Sequence, residues 1–245
     1  MESEPEPLSW WKVDFHLHAA EDPYDELDYS TQELLYRAKK LGFHALAITL
    51  HNQVFARQEA FDLACRLGLL LIPAAEMRIE GADVVILNIT PEESACLKTW
   101  DDLAALRQRR GSSIFVFAPH PFYILGGSIG ERRLIQYIDL FDGIELSHLY
   151  TRLLNQNRGA IRVARQYNKP LIANSDLHRL EFFGRHYSLV EAPRNATAED
   201  LFAAIRAHRI RTVCPAYPLH EFLEYAWWIF ARHEIRLLQA RLQGH

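Results

Sequence analysis

Short apolar runs alternate with amphipathic helical stretches along the chain from residue 13 onward. This alternation is typical of repeated βα units, in which helices cover a mostly parallel sheet. The first helix is clearly delimited, because Ser30 and Glu33 form a capping-box pattern before it and Gly42 stands after it. A second predicted helix ends at Gly68. The apolar runs predict strands over residues 13–18, 44–49, 69–75, 83–89, 113–118, 143–146 and 170–174.

Almost every predicted strand ends in a side chain that can bind a metal ion. An open doubly wound sheet concentrates its site at one switch point, whereas a closed (β/α) barrel gathers the carboxyl ends of all its strands around one mouth. These residues are Asp14, His16, His18, His51, Glu76, His120, Glu145, Asp176 and His178. Their distribution over six strand ends therefore favours an α/β barrel.

The first strand carries an aspartate and two histidines on alternate residues. Because successive side chains on a strand point to opposite faces, we expect Asp14, His16 and His18 to face the barrel and the apolar residues between them to face helices. The two histidines can share an ion, and Asp14 can orient an imidazole from behind. A ligand set of nitrogen and carboxylate oxygen suits manganese, iron or zinc, and Glu76 could bridge two such ions.

The composition argues against several classes of function. The chain has 245 residues and a formal net charge of -4, so long nucleic acid is not an expected partner. An acidic N-terminus without a signal-peptide pattern, and apolar runs shorter than about 20 residues, predict a cytoplasmic protein that does not associate with membranes. Cys65, Cys96 and Cys214 lack CxxC spacing, so we expect ordinary buried thiols rather than disulfides or a zinc-thiolate site.

Three segments are expected along the chain: an N-terminal extension over 1–12, the barrel domain over 13–213, and a connector with an amphipathic helix over 214–245. The helix is predicted from about 220 to 242 and carries a broad apolar stripe. Its members are Phe222, Tyr225, Ala226, Ile229, Phe230, Ile235 and Leu238. Such a stripe packs against the barrel or joins two copies of the chain in a homo-oligomer.

The ordered motifs DFHLH, AITLHN, IPAAE, APHP, IEL and NSDLHRLEFFGRHYSLV resemble the PHP (polymerase and histidinol phosphatase) superfamily over about residues 13–213. The resemblance implies a distorted (β/α)7 TIM-like barrel, with the C-terminal helix as an appendage. It also implies a metal-dependent phosphoesterase with about two or three divalent ions at the barrel mouth.

The resemblance further implies a set of metal ligands. His16, His18, Glu76 and Asp176 would hold one ion, Glu76 and His120 a second, and His51, His178 and an acidic residue after His18 a third. Asp22 is the preferred acidic residue, with Glu21 and Asp25 as alternatives. Two positions depart from the family pattern: Leu50 replaces an aspartate beside His51, and Asp83 stands where many relatives have a ligating histidine. We expect Asp83 to bind the second ion in its place.

The implied reaction hydrolyses a small phosphomonoester or a nucleotide-like substrate through a metal-bridged hydroxide, without a nucleophilic side chain. Arg179 is the preferred phosphate-binding residue because its planar guanidinium can pair with two oxygens, and Arg152, Arg158 and Arg185 are weaker alternatives. His148 and His186 could protonate a leaving group, although polar residues on the rim of the mouth are the more ordinary interpretation.

Two other functions stay open. The chain could be a degenerate PHP module whose metal site is structural or regulatory, as the Leu50 and Asp83 departures suggest. A metal-dependent amidohydrolase also uses an HxH strand on a barrel, but it normally needs a mid-barrel lysine, and Glu76 occupies the corresponding position here.

Overall fold

The structure, a computed structural model, describes residues 7–123 and 127–228. The strands of this part of the chain are β1 (Leu8–Leu17), β2 (Ala45–His51), β3 (Leu70–Ile79), β4 (Ala82–Leu87), β5 (Phe115–Ala118), β6 (Gly143–Leu146), β7 (Leu171–Ala173), β8 (Tyr187–Pro193) and β9 (Ile210–Val213). Its helices are α1 (Thr31–Lys40), α2 (Gln58–Leu67), α3 (Pro91–Ala95), α4 (Trp100–Arg110), α5 (Gly130–Gln136), α6 (Asn157–Gln166) and α7 (Ala198–Arg206). Residues 219–228 are also helical.

The strands form one sheet in the order β7-β6-β5-β4-β3-β2-β1-β8-β9, and this sheet curls into a nearly closed barrel. The predicted distorted barrel is thus confirmed. Strands β1 to β3 and β5 to β7 run parallel, as βα units require, but β4 is antiparallel to both neighbours. The reason is a two-residue turn between β3 and β4, in which Glu80 and Gly81 both have positive φ.

Side chains complete the barrel where the backbone ladder is interrupted. The Ser188 hydroxyl of β8 donates to the carbonyl of Ala173 in β7 and accepts from its amide, both at 2.9 Å. The Phe15 amide of β1 donates to Asn174 Oδ1 at 2.8 Å, and the His18 amide donates to the Leu177 carbonyl at 3.3 Å. These bonds fix the segment after β7 against the first strand, at the mouth of the barrel.

Strand β1 contains a β-bulge that corrects the predicted alternation of its faces. Val13 pairs with Ala45 of β2, whereas Leu17 pairs with Ile48, so β1 has one extra residue between these two points. Val13 therefore lies in the apolar cluster that also contains Ala45, and Leu17 packs in a different cluster with Leu34 of α1. The strict alternation expected from Asp14 to His18 is wrong across the bulge, because an inserted residue exchanges the two faces.

Strand β1 also begins at Leu8 and pairs antiparallel with β8, which the sequence had not predicted. The predicted helix boundaries agree more closely with the structure. Ser30 and Glu33 form the expected capping box of α1, and Gly68 ends α2 in the left-handed conformation. In this region, local sequence was therefore sufficient to place helix ends.

The cysteines are more exposed than the sequence predicted. The expectation of buried thiols is wrong for Cys65 and Cys96, which are exposed, while Cys214 is half-buried. None of the helices within residues 7–123 and 127–228 has the length and apolarity that crossing a bilayer would require. The predicted stripe residues Ile229, Phe230, Ile235 and Leu238 lie outside the described residues.

Candidate metal centre

The barrel mouth contains three overlapping groups of histidine and carboxylate side chains. In each group, one potential ligand atom per residue lies within 4.8 Å of the others. The groups are His16, Glu76 and His120; His16, His18 and Asp176; and His18, Asp22, Asp25 and His51. These residues come from β1, β2 and β3 and from the segments that follow β1, β5 and β7, so the barrel brings together side chains far apart in sequence.

Glu76 occupies the centre of this arrangement and is almost completely buried. Its Oε1 lies 3.1 Å from His120 Nε2. Its Oε2 lies 3.3 Å from His16 Nε2, 3.4 Å from His18 Nε2 and 3.3 Å from His51 Nε2. One carboxylate therefore faces four imidazoles, which is the position that a carboxylate shared between cations requires.

Two of the three acidic residues considered after His18 face the centre. Asp22 Oδ2 lies 3.0 Å from both His18 Nδ1 and His51 Nδ1. Asp25 Oδ2 lies 3.1 Å from His178 Nε2 and 3.5 Å from His51 Nδ1. Glu21 turns away, since its carboxylate accepts a hydrogen bond from the Thr31 hydroxyl at 2.6 Å. Asp22 and its alternative Asp25 thus lie in the same cluster.

Burial and neighbouring charges at the mouth shift the pKa values of these side chains. Burial alone would raise the pKa of Glu76, but the His16 and His120 imidazoles hold it well below its usual range. Burial opposes charge on His120 as well, yet Glu76 raises its pKa to about 9. The pKa of His178 likewise rises to about 9, against burial, because Asp25 accepts a hydrogen bond from it. The carboxylates therefore need a compensating cation, which either protonated imidazoles or bound metal ions can supply.

Two further observations support metal ions as the compensating cations. His18 Nε2 and His120 Nδ1 are buried and have no hydrogen-bond partner among the described residues. His120 and Asp176 also have positive φ, of 27° and 45°, an uncommon conformation for residues with a side chain. Unpartnered ring nitrogens and strained backbone are costly and cluster at functional sites. The donor set therefore fits hard or intermediate divalent ions.

Glu145, rather than Asp14, orients the ring of His16. Its carboxylate lies 3.1 Å from His16 Nδ1 and accepts hydrogen bonds from the Asn174 amide and the His120 backbone, both at 2.8 Å. Asp14 instead accepts from the hydroxyl of Ser175 at 2.6 Å. The bulge in β1 separates Asp14 from the ring that it was expected to orient. Glu145 stood at a predicted strand end, which was the available signal for its position.

Four predicted site residues lie outside the three groups: the expected ligands Asp83 and His178, the supporting residue Asp14 and the phosphate-binding candidate Arg179. The Asp83 carboxylate pairs with Arg78 Nε at 2.7 Å, and Gly127 packs directly over it. Burial and the nearby Glu76 raise the pKa of Asp83 to about 6. The Arg179 guanidinium pairs with Glu181 and with Glu224 of the helical segment 219–228.

The interpretation of His148 and His186 as rim residues is wrong, because both are buried. His186 Nε2 bonds the Pro215 carbonyl at 3.0 Å. His148 Nδ1 lies 3.8 Å from Asp176 Oδ2, and neither of its ring nitrogens has a hydrogen-bond partner among the residues described. Local sequence did not indicate this burial, because Tyr217 and Tyr225, which cover His148, come from the segment after residue 213.

Comparison with protein families and curated proteins gives two matches. The PHP-associated family model matches residues 155–210. An uncharacterised protein of Methanocaldococcus jannaschii, MJ1587, is 26% identical over 143 residues, which are 58% of this chain and 75% of that protein. The family match begins just before α6 and includes Asp176 and His178.

Solved structures of similar fold extend the comparison to most of the chain. PsfC from Pseudomonas syringae has a TM-score of 0.66 and 19% identity over 93% of this chain and 99% of its own. A two-domain protein from Bacteroides vulgatus, containing a predicted PHP-like metal-dependent phosphoesterase, has a TM-score of 0.63 and 20% identity over 84% of this chain. This chain spans only 65% of that protein.

A third structure, the lesion-specific endonuclease PfuEndoQ from Pyrococcus furiosus, has a TM-score of 0.59 and 13% identity over 89% of this chain and 66% of its own. At these identities, the structural matches establish a shared fold. The family-model match over 155–210 confirms the resemblance to the PHP superfamily in that part of the chain.

Proposed function

We propose that this chain is a metal-dependent phosphoesterase that hydrolyses a small phosphomonoester or nucleotide-like substrate at the barrel mouth. The observation that carries the proposal is the sharing of residues between the three ligand groups: His16 and His18 each belong to two of them, and Glu76 Oε2 also faces His18 and His51. Overlapping groups suit adjacent ions rather than one isolated structural ion, and adjacent divalent ions are typical of phosphoester hydrolysis.

The proposed ligands divide among these groups. His16, His18, Glu76 and Asp176 would hold one ion, and Glu76 with His120 would contribute to a second. His51, His178 and Asp22 would hold a third, with Asp25 as a further oxygen donor. Asp83 would contribute to the second ion through the oxygen that does not pair with Arg78 Nε. Such ions would activate water as a nucleophile at neutral pH and offset the charge of the phosphoryl group.

The chain's own residues would orient this centre and the substrate. Glu145 holds the His16 ring from behind, as carboxylates commonly do for imidazole ligands. Arg179 remains our candidate for binding a phosphate oxygen. Its pairs with Glu181 and Glu224 mean that a substrate phosphate would compete with carboxylates already present.

The covering of the mouth favours a small substrate over a long polymer. Tyr217 and Tyr225, from the segment after β9, are buried and pack against Phe182 at ring-centroid distances of 5.9 and 5.2 Å. Tyr225 also packs against His148, next to Asp176. This aromatic cover narrows the space on one side of the proposed centre.

The test is hydrolysis of p-nitrophenyl phosphate, nucleotides and a 5′-phosphorylated oligonucleotide with added Mn²⁺. We expect turnover of the small substrates, and its loss in His18→Ala. His44→Ala is the matched control, because His44 lies at the other end of the barrel and its Nδ1 accepts a hydrogen bond from the Lys12 amide. Turnover of the oligonucleotide alone would replace the small-substrate proposal with a nuclease.

A degenerate, non-hydrolytic module is the second candidate. The observation in its favour is the Arg78–Asp83 pair, which engages a carboxylate that the second ion would need. Wild-type protein that binds Mn²⁺ but hydrolyses none of the three substrate types would support this candidate and contradict the phosphoesterase.

A further inference from the structure

We propose that His148 is a positioning residue for the metal centre: its Nδ1–H donates a hydrogen bond to Asp176 Oδ2 and thereby fixes which carboxylate oxygen faces the ions. This inference rests on the proposed function, because it requires Asp176 to be a metal ligand. It adds a residue that none of the three ligand groups contains.

The first support is the geometry of the Asp176 carboxylate. Oδ1 faces the ligand groups and lies 3.6 Å from His16 Nε2, 3.3 Å from His18 Nε2 and 3.5 Å from His178 Nδ1. Oδ2 faces the opposite way and lies 3.8 Å from His148 Nδ1. A shift of under about 1 Å would bring this pair to hydrogen-bond distance. The two oxygens of Asp176 thus have separate environments.

The second support is the unsatisfied state of the His148 ring. Its side chain is only 4% exposed, and both ring nitrogens lack a hydrogen-bond partner among the described residues. Leaving a buried polar group unpaired is unfavourable, so such groups are rare and call for a specific reason. Asp176 Oδ2 is the acceptor that the structure places nearest to this ring in a charged contact.

The third support is the rigid aromatic surround of the ring. Four rings meet His148 edge-on, at interplanar angles of 65° to 83°, and belong to Tyr123, His186, Tyr217 and Tyr225. They surround the imidazole, which is buried, and restrict its rotation. A neutral imidazole has one N–H to donate, and Nδ1 is the ring nitrogen that faces Asp176.

The backbone of Asp176 is strained, so its carboxylate needs support from neighbouring residues. Its φ of 45° is a conformation that residues with a side chain rarely adopt without such support. Residues that bond the outer oxygen of a ligand carboxylate commonly set its orientation, and their loss lowers metal affinity by about 10–100-fold. We expect the same range for His148.

The test is Mn²⁺ affinity, measured by calorimetric titration of the metal-free protein and four variants. His148→Phe keeps a ring in the aromatic surround and removes both nitrogens. We expect it to bind Mn²⁺ about 10–100-fold more weakly, while the midpoint of urea unfolding without metal stays the same or rises. His148→Asn places an amide near the Nδ1 position and should retain most of the affinity, whereas His148→Gln places it near Nε2 and should not.

His186→Phe is the control, because His186 lies in the same aromatic surround but bonds Pro215. It should leave Mn²⁺ affinity unchanged. Equal affinity of wild type and His148→Phe would overturn the positioning role and leave the proposed function intact. Equal weakening by His148→Phe and His186→Phe would also overturn it, by showing a general packing effect. A wild type that binds no Mn²⁺ would overturn both proposals.

Discussion

The two ends of the barrel differ in how completely their buried charged groups are paired. At the end away from the mouth, Asp142 accepts from Arg107 Nη2 at 3.0 Å, Arg206 Nε at 2.9 Å and the Val116 amide at 2.9 Å. Arg206 continues to the Ser112 carbonyl at 3.1 Å. Every charge in this network is matched within the chain, so the network stabilises the fold without a ligand.

At the mouth, the charges are crowded and incompletely matched. Of the six buried side-chain atoms without a partner among the described residues, four belong to His18, His120 and His148. A difference of this kind between two ends of one barrel indicates that the mouth depends on something the chain does not supply, whereas the opposite end does not.

The largest expected effect comes from removing the central mouth carboxylate. Glu76→Gln leaves the side chain nearly the same size but removes the charge that faces four imidazoles. We expect Mn²⁺ affinity to fall by more than the roughly 100-fold that loss of a supporting residue can cause, with loss of hydrolysis. Calorimetric titration and a phosphoester assay measure both. If Glu76→Gln bound Mn²⁺ with wild-type affinity, Glu76 would not be a metal ligand.

The matching change at the other end should affect stability alone. Asp142→Asn breaks the network with Arg107 and Arg206. The free energy of unfolding should fall by about 3 kcal/mol, the lower end for a broken buried ion pair, because both guanidiniums keep some contact with water. Urea unfolding without metal checks this value. A large loss of Mn²⁺ affinity in the folded variant would mean that the two ends are not independent.

Adding metal should stabilise the protein through the mouth. At a free Mn²⁺ concentration of about 100 times Kd, one site adds about 2.7 kcal/mol to the free energy of unfolding. Asp142→Asn should show the same gain, and Glu76→Gln should show almost none. Thermal unfolding with and without Mn²⁺ distinguishes these cases. An equal gain in both variants would indicate binding elsewhere.

The smallest expected effect is the acid dependence of the ligand-free network. Burial would raise the pKa of Asp142, but hydrogen bonds from Arg206 and Arg107 hold it below its ordinary value of 3.8. The resulting stabilisation is present above that ordinary value and is lost as pH falls through the lower pKa of the folded state. Wild type should therefore exceed Asp142→Asn in stability by a constant amount near neutral pH, and by less below about pH 4. A difference that instead grows on acidification would contradict the assigned pKa direction.

Most of this molecule's organisation could be predicted from local sequence. Strand ends such as Glu76 and Asp176 placed potential ligands at one mouth, because parallel strands align their carboxyl ends there. Capping residues such as Ser30 and Gly68 located helix boundaries, since caps depend on adjacent residues.

The features that were missed depend on contacts between distant segments. The bulge before Leu17 is a difference in residue count against β2, which β1 alone does not reveal. Pairing of β1 with β8 joins residues about 180 positions apart, such as Trp11 and Val190. The burial of His148 likewise requires Tyr225, from the segment after the predicted barrel. Strand register, strand pairing and burial therefore could not be predicted where they depend on segments distant in sequence.

We propose that the mouth holds several adjacent divalent ions. The most direct measurement is elemental analysis of wild-type protein that has been stripped of metal, reloaded with Mn²⁺ and freed of excess ion. We predict about two or three equivalents of manganese per chain, and the same content in Asp142→Asn, since that change lies at the opposite end. A content of about one equivalent or less in correctly folded wild type would contradict adjacent ions at the mouth.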